Sequence, residues 1–186
     1  PMFADPDAEL PEVYTAATQF GSFFMRQARG ATVPFGENGA TRTDIAPFGE
    51  FYADMRDALK EAVECLDEAD PLVEPRYQLT YDGEAIPIRW FYHLARTHAN
   101  FYASCILREK LLGEGEQLTD EETGALIDRW LAVLQDEKEN TEAARPLLDK
   151  DPRLELRTRT PGAPDASMLI KAKLRVLEDE ITRFIQ

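Results

Sequence analysis

The chain has 186 residues, of which 44% are hydrophobic and 30% charged, enough apolar content for a real core with a solvated surface. Asp and Glu outnumber Lys and Arg by 35 to 21, a formal net charge of −14. Such a surface repels phosphate backbones and anionic headgroups, which argues against nucleic-acid and membrane partners.

At this length one domain is expected, covering residues 1–186. No apolar run approaches the roughly 20 residues that cross a bilayer. The start lacks a basic stretch followed by an apolar one, so no signal peptide is read, and the location stays unknown.

In chain order, residues 11–29 read as a first helix. Pro11 sits at a favoured opening position, and Val13, Ala17, Phe20, Phe24 and Ala28 recur along one face. A Gly-rich loop follows. The second helix is expected over 46–68, with Phe48, Phe51, Tyr52, Met55, Leu59, Val63 and Leu66 as its apolar stripe. A short extended passage from Tyr77 to Tyr81 and a turn at Asp82-Gly83 come next. Pro87 then opens a third helix, 87–112, apolar around much of its circumference and so expected at the centre of the assembly.

The fourth helix, 119–148, starts with Thr119 and Glu122 in capping-box spacing. Its seam holds Leu126, Trp130, Val133, Leu134, Glu137, Thr141 and Ala144, and Pro146 is expected to kink or end it. A fifth helix, 165–185, carries Ile170, Leu174, Leu177, Ile181 and Phe184. The fold expected is all-α, an antiparallel bundle of about five helices.

The chemistry-bearing residues are sparse. His93 and His98 are the only histidines, and five residues apart they point about 140° from each other on a helix, too far to chelate one ion. Each reads as a buried, hydrogen-bonded imidazole. The positions three before them are Trp90 and Ala95, so the Glu-x-x-His pattern of di-iron bundles is missing. Asp57, Glu61, Glu64 and Glu68 line one side of the second helix and read as a solvated face. Cys65 and Cys105 read as buried thiols behaving as small hydrophobes.

Aromatic residues at helical spacing usually form core. The alternative is a ligand-stacking platform built from Trp90, Tyr92, His98 and Tyr102, with Phe101 beside them. No phosphate-binding glycine loop or nucleophile elbow is present in the sequence, and Cys105, seven residues and about two turns from His98 on one helix, is not expected to act directly with it. No catalytic, cofactor-binding or metal-ligating residue is assigned, and no cofactor is expected.

One stretch is more specific: Asn140, Thr141, Ala144, Pro146, Leu147, Asp149, Asp151, Arg153 and Leu154 at fixed intervals. It resembles the C-terminal all-helical region of large bacterial glycoside-hydrolase-like multidomain proteins. Phe101-Tyr102, Leu107, Arg108, Glu109 and Leu111 are similar to that region's preceding helix, and Met168, Lys171, Lys173, Leu174 and Leu177 to its last. The similarity spans roughly residues 90–185. It departs where the family often has Gly and an aromatic residue after Arg-Leu; Glu155 and Leu156 stand here.

The resemblance implies that any sugar chemistry belongs to an upstream β/α barrel, for which 186 residues have no room beside five helices. This chain would then be a fragment or accessory domain, with that catalytic domain or a second copy as partner. It carries over a structural role only: Asp151 and Arg153 fixing the end of the fourth helix, Asn140 in the same segment, and Arg108 pairing with an acid in that corner. Two rival readings are a freestanding protein-interaction module and, more remotely, a small enzyme with a buried carboxylate site between helices two, three and four.

Overall fold

The computed structural model describes residues 42–113, 117–154 and 166–185. Four α-helices run through them: α1 (Arg42–Ala69), α2 (Gln78–Gly113), α3 (Asp120–Lys150) and α4 (Ala166–Ile185). Short 3-10 turns occupy Asp70–Leu72, Pro75–Tyr77 and Pro152–Leu154, and no strand occurs among the described residues. The helix expected over 11–29 lies outside them.

Local chemistry accounts for most of these boundaries. Pro71 follows the end of α1 and Pro75 opens the turn that feeds α2, each residue setting φ for a tight turn. Thr119 caps α3: its Oγ1 accepts from the Glu122 amide while the Glu122 carboxylate accepts from the Thr119 amide at 2.9 Å. That reciprocal pair satisfies two of the donors that a helix start leaves without partners.

The extended passage and Asp82-Gly83 turn expected between helices are not formed. Residues from Gln78 onward are already α2, and Pro87 lies inside that helix instead of opening it. Tertiary and side-chain bonds override the turn residues here. Gln78 donates to Asp82 at 3.0 Å, one turn along, and to Asp70 at 3.3 Å. Tyr81 donates its hydroxyl to the Leu66 carbonyl of α1, and Ala85 and Ile86 are buried. Pro146 likewise sits inside α3, which runs on to Lys150.

Contacts between α1 and α2 step up one helix and down the other: Phe48 against Tyr102, Tyr52 against His98, Asp67 against Arg89. Helix α2 packs on α1 and α3, and α4 packs mainly on α3. Three apolar clusters form the core. Phe101, Tyr102 and Cys105 pack with Tyr52 and Ile106. Ile86, Trp90, Ala144, Leu147 and Leu154 form the second, and Leu134 and Leu177, with Trp130, Val176 and Ile181, the third. Each large side chain withdrawn from water contributes about 1.5–3 kcal/mol. Along α2 and α3 a layer of polar residues lies between these clusters.

Candidate functional site

The polar layer draws on three helices. From α2 come His93, Arg96, Thr97 and Asn100, one to two turns apart on the side facing α3. From α3 come Asp136, Glu137, Asn140 and Thr141, and from α4 comes Lys173. Thr97, Glu137, Asn140, Thr141 and Lys173 are each at most 1% exposed.

At its centre the Lys173 ammonium binds Glu137 Oε1 and lies 3.3 Å from Thr97 Oγ1. Thr97 donates to the same Oε1 at 2.7 Å, and Asn100 donates to Oε2 at 2.8 Å. Thr141 donates to the Glu137 carbonyl at 2.8 Å. Asn140 donates to the His93 carbonyl and to Thr97 Oγ1, both at 3.0 Å, and its Oδ1 lies 2.8 Å from His93 Nδ1. Both oxygens of Glu137 and both ends of the Asn140 amide are thereby engaged by protein groups.

Burial sets the electrostatics. Loss of solvent pulls the Lys173 ammonium below its ordinary pKa, and the charge of Glu137 opposes that shift. Burial likewise lowers His93 and His98; the His98 Nδ1 donates to the Leu94 carbonyl at 2.7 Å. Tyr102, buried against Tyr52, is pushed up to about 12. At the outer edge of the layer, Arg96 grips Asp136 with two nitrogens, its Nε at 3.0 Å, while Asn100 donates to the same carboxylate at 2.7 Å. Burial raises Asp136, but these bonds and the nearby arginines outweigh it and hold the group below the usual carboxylate range.

The residues of the Asn140-to-Leu154 segment divide between two places. Asn140 and Thr141 belong to the polar layer. Asp151 caps α3, its amide donating to the Leu147 carbonyl at 3.0 Å. Its buried carboxylate takes the Arg153 amide at 2.9 Å and the guanidinium at 2.9 and 3.0 Å. These bonds from Arg153 hold Asp151 below its ordinary pKa. Arg153 itself is 67% exposed, so the two do not form a fully buried ion pair. Its second nitrogen reaches across to the Gly83 carbonyl of α2 at 2.9 Å.

Arg108 does not reach that corner. It lies about 37 Å along α2 from Gly83, at about 1.5 Å per residue, and its charge acts instead on the half-buried Glu180 of α4. The aromatic set is also dispersed. Trp90 and His98 are 6% exposed and Tyr102 3%. Trp90 packs against Leu147 and Leu154, whereas His98 and Tyr102 both stack on Tyr52. Only Tyr92 is half-exposed, so these rings offer no shared open face for a sugar.

The stripe Asp57, Glu61, Glu64 and Glu68 is exposed throughout, as a solvated face should be. Cys105 is buried, but Cys65 is exposed, a correction to its expected burial. Among the described residues no group of three His, Cys, Asp or Glu side chains is arranged to hold a metal ion, and no helix is long and apolar enough to cross a membrane.

Sequence reasoning missed Thr97, Asn100 and the Lys173–Glu137 pair. A signal was present: Glu137 and Thr141 stand in an apolar seam, and Lys173 falls between Ile170 and Leu177 at three- and four-residue steps. A charge at a seam position needs a partner at the facing seam. Compared with family models, curated proteins and solved structures, the chain matches none of them.

Proposed function

We propose that this chain is a non-catalytic helical domain of a larger carbohydrate-active, glycosidase-like protein, supporting a catalytic barrel or mediating association. The observation that carries the non-catalytic part of this reading is the mutual consumption of the interior polar groups, while its glycosidase-like part rests on the resemblance of segment 140–154. Glu137, Lys173, Thr97, Asn100 and Asn140 direct their donors and acceptors at one another. A general acid or base must instead aim an atom at the proton it transfers.

Such a layer suits a register device. Sliding α4 along α3 by one turn would move Lys173 into apolar surroundings and leave Glu137 buried without its cation, an arrangement that costs several kcal/mol. Apolar clusters alone tolerate such slips more readily, because one aliphatic neighbour resembles the next. The proposal includes the antiparallel, single-domain arrangement of about five helices over residues 1–186. The segment resembling glycosidase-like proteins supplies Asn140 and Thr141 to the layer and Asp151 and Arg153 to the end of α3.

Two measurements test it. The reading frame ahead of Pro1 is expected to encode a β/α barrel, and the 186-residue chain by itself is expected to leave aryl glycosides intact. Turnover by this chain that Glu137→Gln abolishes would overturn the proposal. A freestanding interaction module is the second reading, favoured by the exposed apolar residues Leu72 and Tyr77 between α1 and α2 and Leu79 in the first turn of α2.

A further inference from the structure

The elbow between α1 and α2 combines three properties. First, it exposes large apolar side chains: Leu72 is 82% exposed, Leu79 86% and Tyr77 52%. Leu72, Val73, Glu74, Tyr77, Thr80 and Tyr81 line a shallow, mainly apolar groove, and Leu79 lies outside it.

Second, the elbow is tied down. Pro71 and Pro75 restrict its two turns. The Val73 amide donates to the Asp70 carbonyl at 3.2 Å and the Tyr77 amide to the Glu74 carbonyl at 2.8 Å. Tyr81 is bonded to Leu66, and Arg89 to Asp67 at 2.6 Å. A backbone braced in this way loses little further entropy when a partner covers it.

Third, the surroundings are acidic. Glu64, Asp67, Glu68, Asp70, Glu74, Asp82 and Glu84 fall between residues 64 and 84, against Arg76 within that stretch and two cations reaching it from outside, Arg89 at Asp67 and Arg153 at the Gly83 carbonyl. The guanidinium of Arg76 lies over the Tyr77 ring, 4.6 Å from its centroid, and bonds to Glu74.

We propose that this elbow is a docking surface for a cationic amphipathic segment of a partner protein, its apolar side chains entering the Leu72–Tyr81 groove and its Lys or Arg residues facing the acidic rim. The charge pattern selects this occupant. A second copy would bring the same acidic rim against this one, and an anionic lipid surface would be repelled. The inference rests on reading the chain as an association domain, and names the face through which it associates.

The test uses the full 186-residue chain and a fluorescent Leu/Lys amphipathic peptide of about five helical turns, followed by anisotropy. Saturable one-to-one binding is expected, weakened by salt and by about tenfold or more in the Leu72→Ser/Tyr77→Ser variant. The exposed Phe91 gives a control: Phe91→Ser is expected to bind as the parent does. Because all three substituted side chains face solvent, melting temperatures should be unchanged, which separates lost docking from lost folding. Equal binding by the Leu72→Ser/Tyr77→Ser variant overturns the proposal. So does preference for a Leu/Glu peptide, binding to phosphatidylserine vesicles that Leu72 and Tyr77 control, or dimerisation by light scattering that the same substitutions abolish. Glycoside turnover by the chain would instead count against the association-domain reading, leaving the peptide result to stand by itself.

Discussion

Arg153 donates to the carbonyl of Gly83, 70 residues earlier in the chain. That carbonyl is the one which Pro87, four positions on, leaves without a helical donor. A guanidinium anchored on Asp151 at the end of α3 thus replaces a missing backbone bond inside α2. The proline is tolerated within the helix because tertiary structure supplies what its ring removes.

This predicts coupling between two distant positions. Pro87→Ala restores an amide to the Gly83 carbonyl and should raise stability by about 1–3 kcal/mol. Arg153→Ala should lower the melting temperature in the parent chain, and lower it less in the Pro87→Ala background. A double-mutant cycle by thermal denaturation checks this. Strict additivity would show that the Arg153 bond does not compensate for the proline.

The Lys173–Glu137 pair should behave as a buried ion pair does. Lys173→Met leaves the Glu137 carboxylate inside the protein without its cation, and the expected loss is about 3–5 kcal/mol in chemical denaturation. Adding Glu137→Leu should recover a large part of that loss, since a well-packed apolar pair often matches a buried charged one. If the single and double variants are equally destabilised, the pair is not the element holding α4.

Asn140 makes three contacts that no apolar side chain reproduces. Asn140→Ala should therefore cost about 2–4 kcal/mol, combining lost bonds with a cavity and bereft polar partners on α2. Amide exchange should show the α2–α3 contact around His93 and Thr97 opening first. A loss below about 0.5 kcal/mol would contradict the role given to it.

The pH dependence has a definite sign. Burial lowers the folded-state pKa of His93 and His98, so the folded protein binds fewer protons than the unfolded chain near pH 6. Their contribution is fully present above about 6.5, the unfolded value, and is lost as pH falls through the lowered folded values. Each histidine limits the slope to about 1.4 kcal/mol per pH unit. Asp136 and Asp151 are also lowered, so they stabilise the fold above their ordinary value of 3.8 and fail in a second, more acidic step. Urea midpoints measured from pH 8 to 3 should show both limbs. His98→Phe, which keeps a ring against Tyr52, should flatten only the first, and an unaltered first limb would refute the assignment.

At the start of α3 the prediction is small and local. Thr119→Ala removes the capping box and should cost about 1 kcal/mol, with Thr119→Ser nearly neutral. Helicity lost well beyond the first turn of α3 would mean that the cap is not the local device described.

How much was legible depended on range. Thr119 and Glu122 sit three residues apart, so their reciprocal bonds need no other part of the chain, and the start of α3 could be read directly. The exposed face Asp57–Glu68 follows equally from local spacing. Pro87 misled because a proline at a helix opening and a proline inside a helix look alike in sequence. The difference lies in whether a distant donor reaches the freed carbonyl. Cys65 misled because its residue type alone suggests a small hydrophobe, although it falls outside the stripe from Phe48 to Leu66 and at helical spacing from Glu61 and Glu68, whose solvated face it shares.

Helical periodicity, the capping residues and the acid excess were set by the amino-acid order alone, since each arises from interactions within a turn or two, or from simple summation. The facing of Lys173 to Glu137, the separation of Trp90 from the His98–Tyr52–Tyr102 stack, and the reach of Arg153 to Gly83 were decided only when the helices packed. Those outcomes depend on rotation about each helix axis and on partners 36 to 76 residues apart, and no local pattern specifies either.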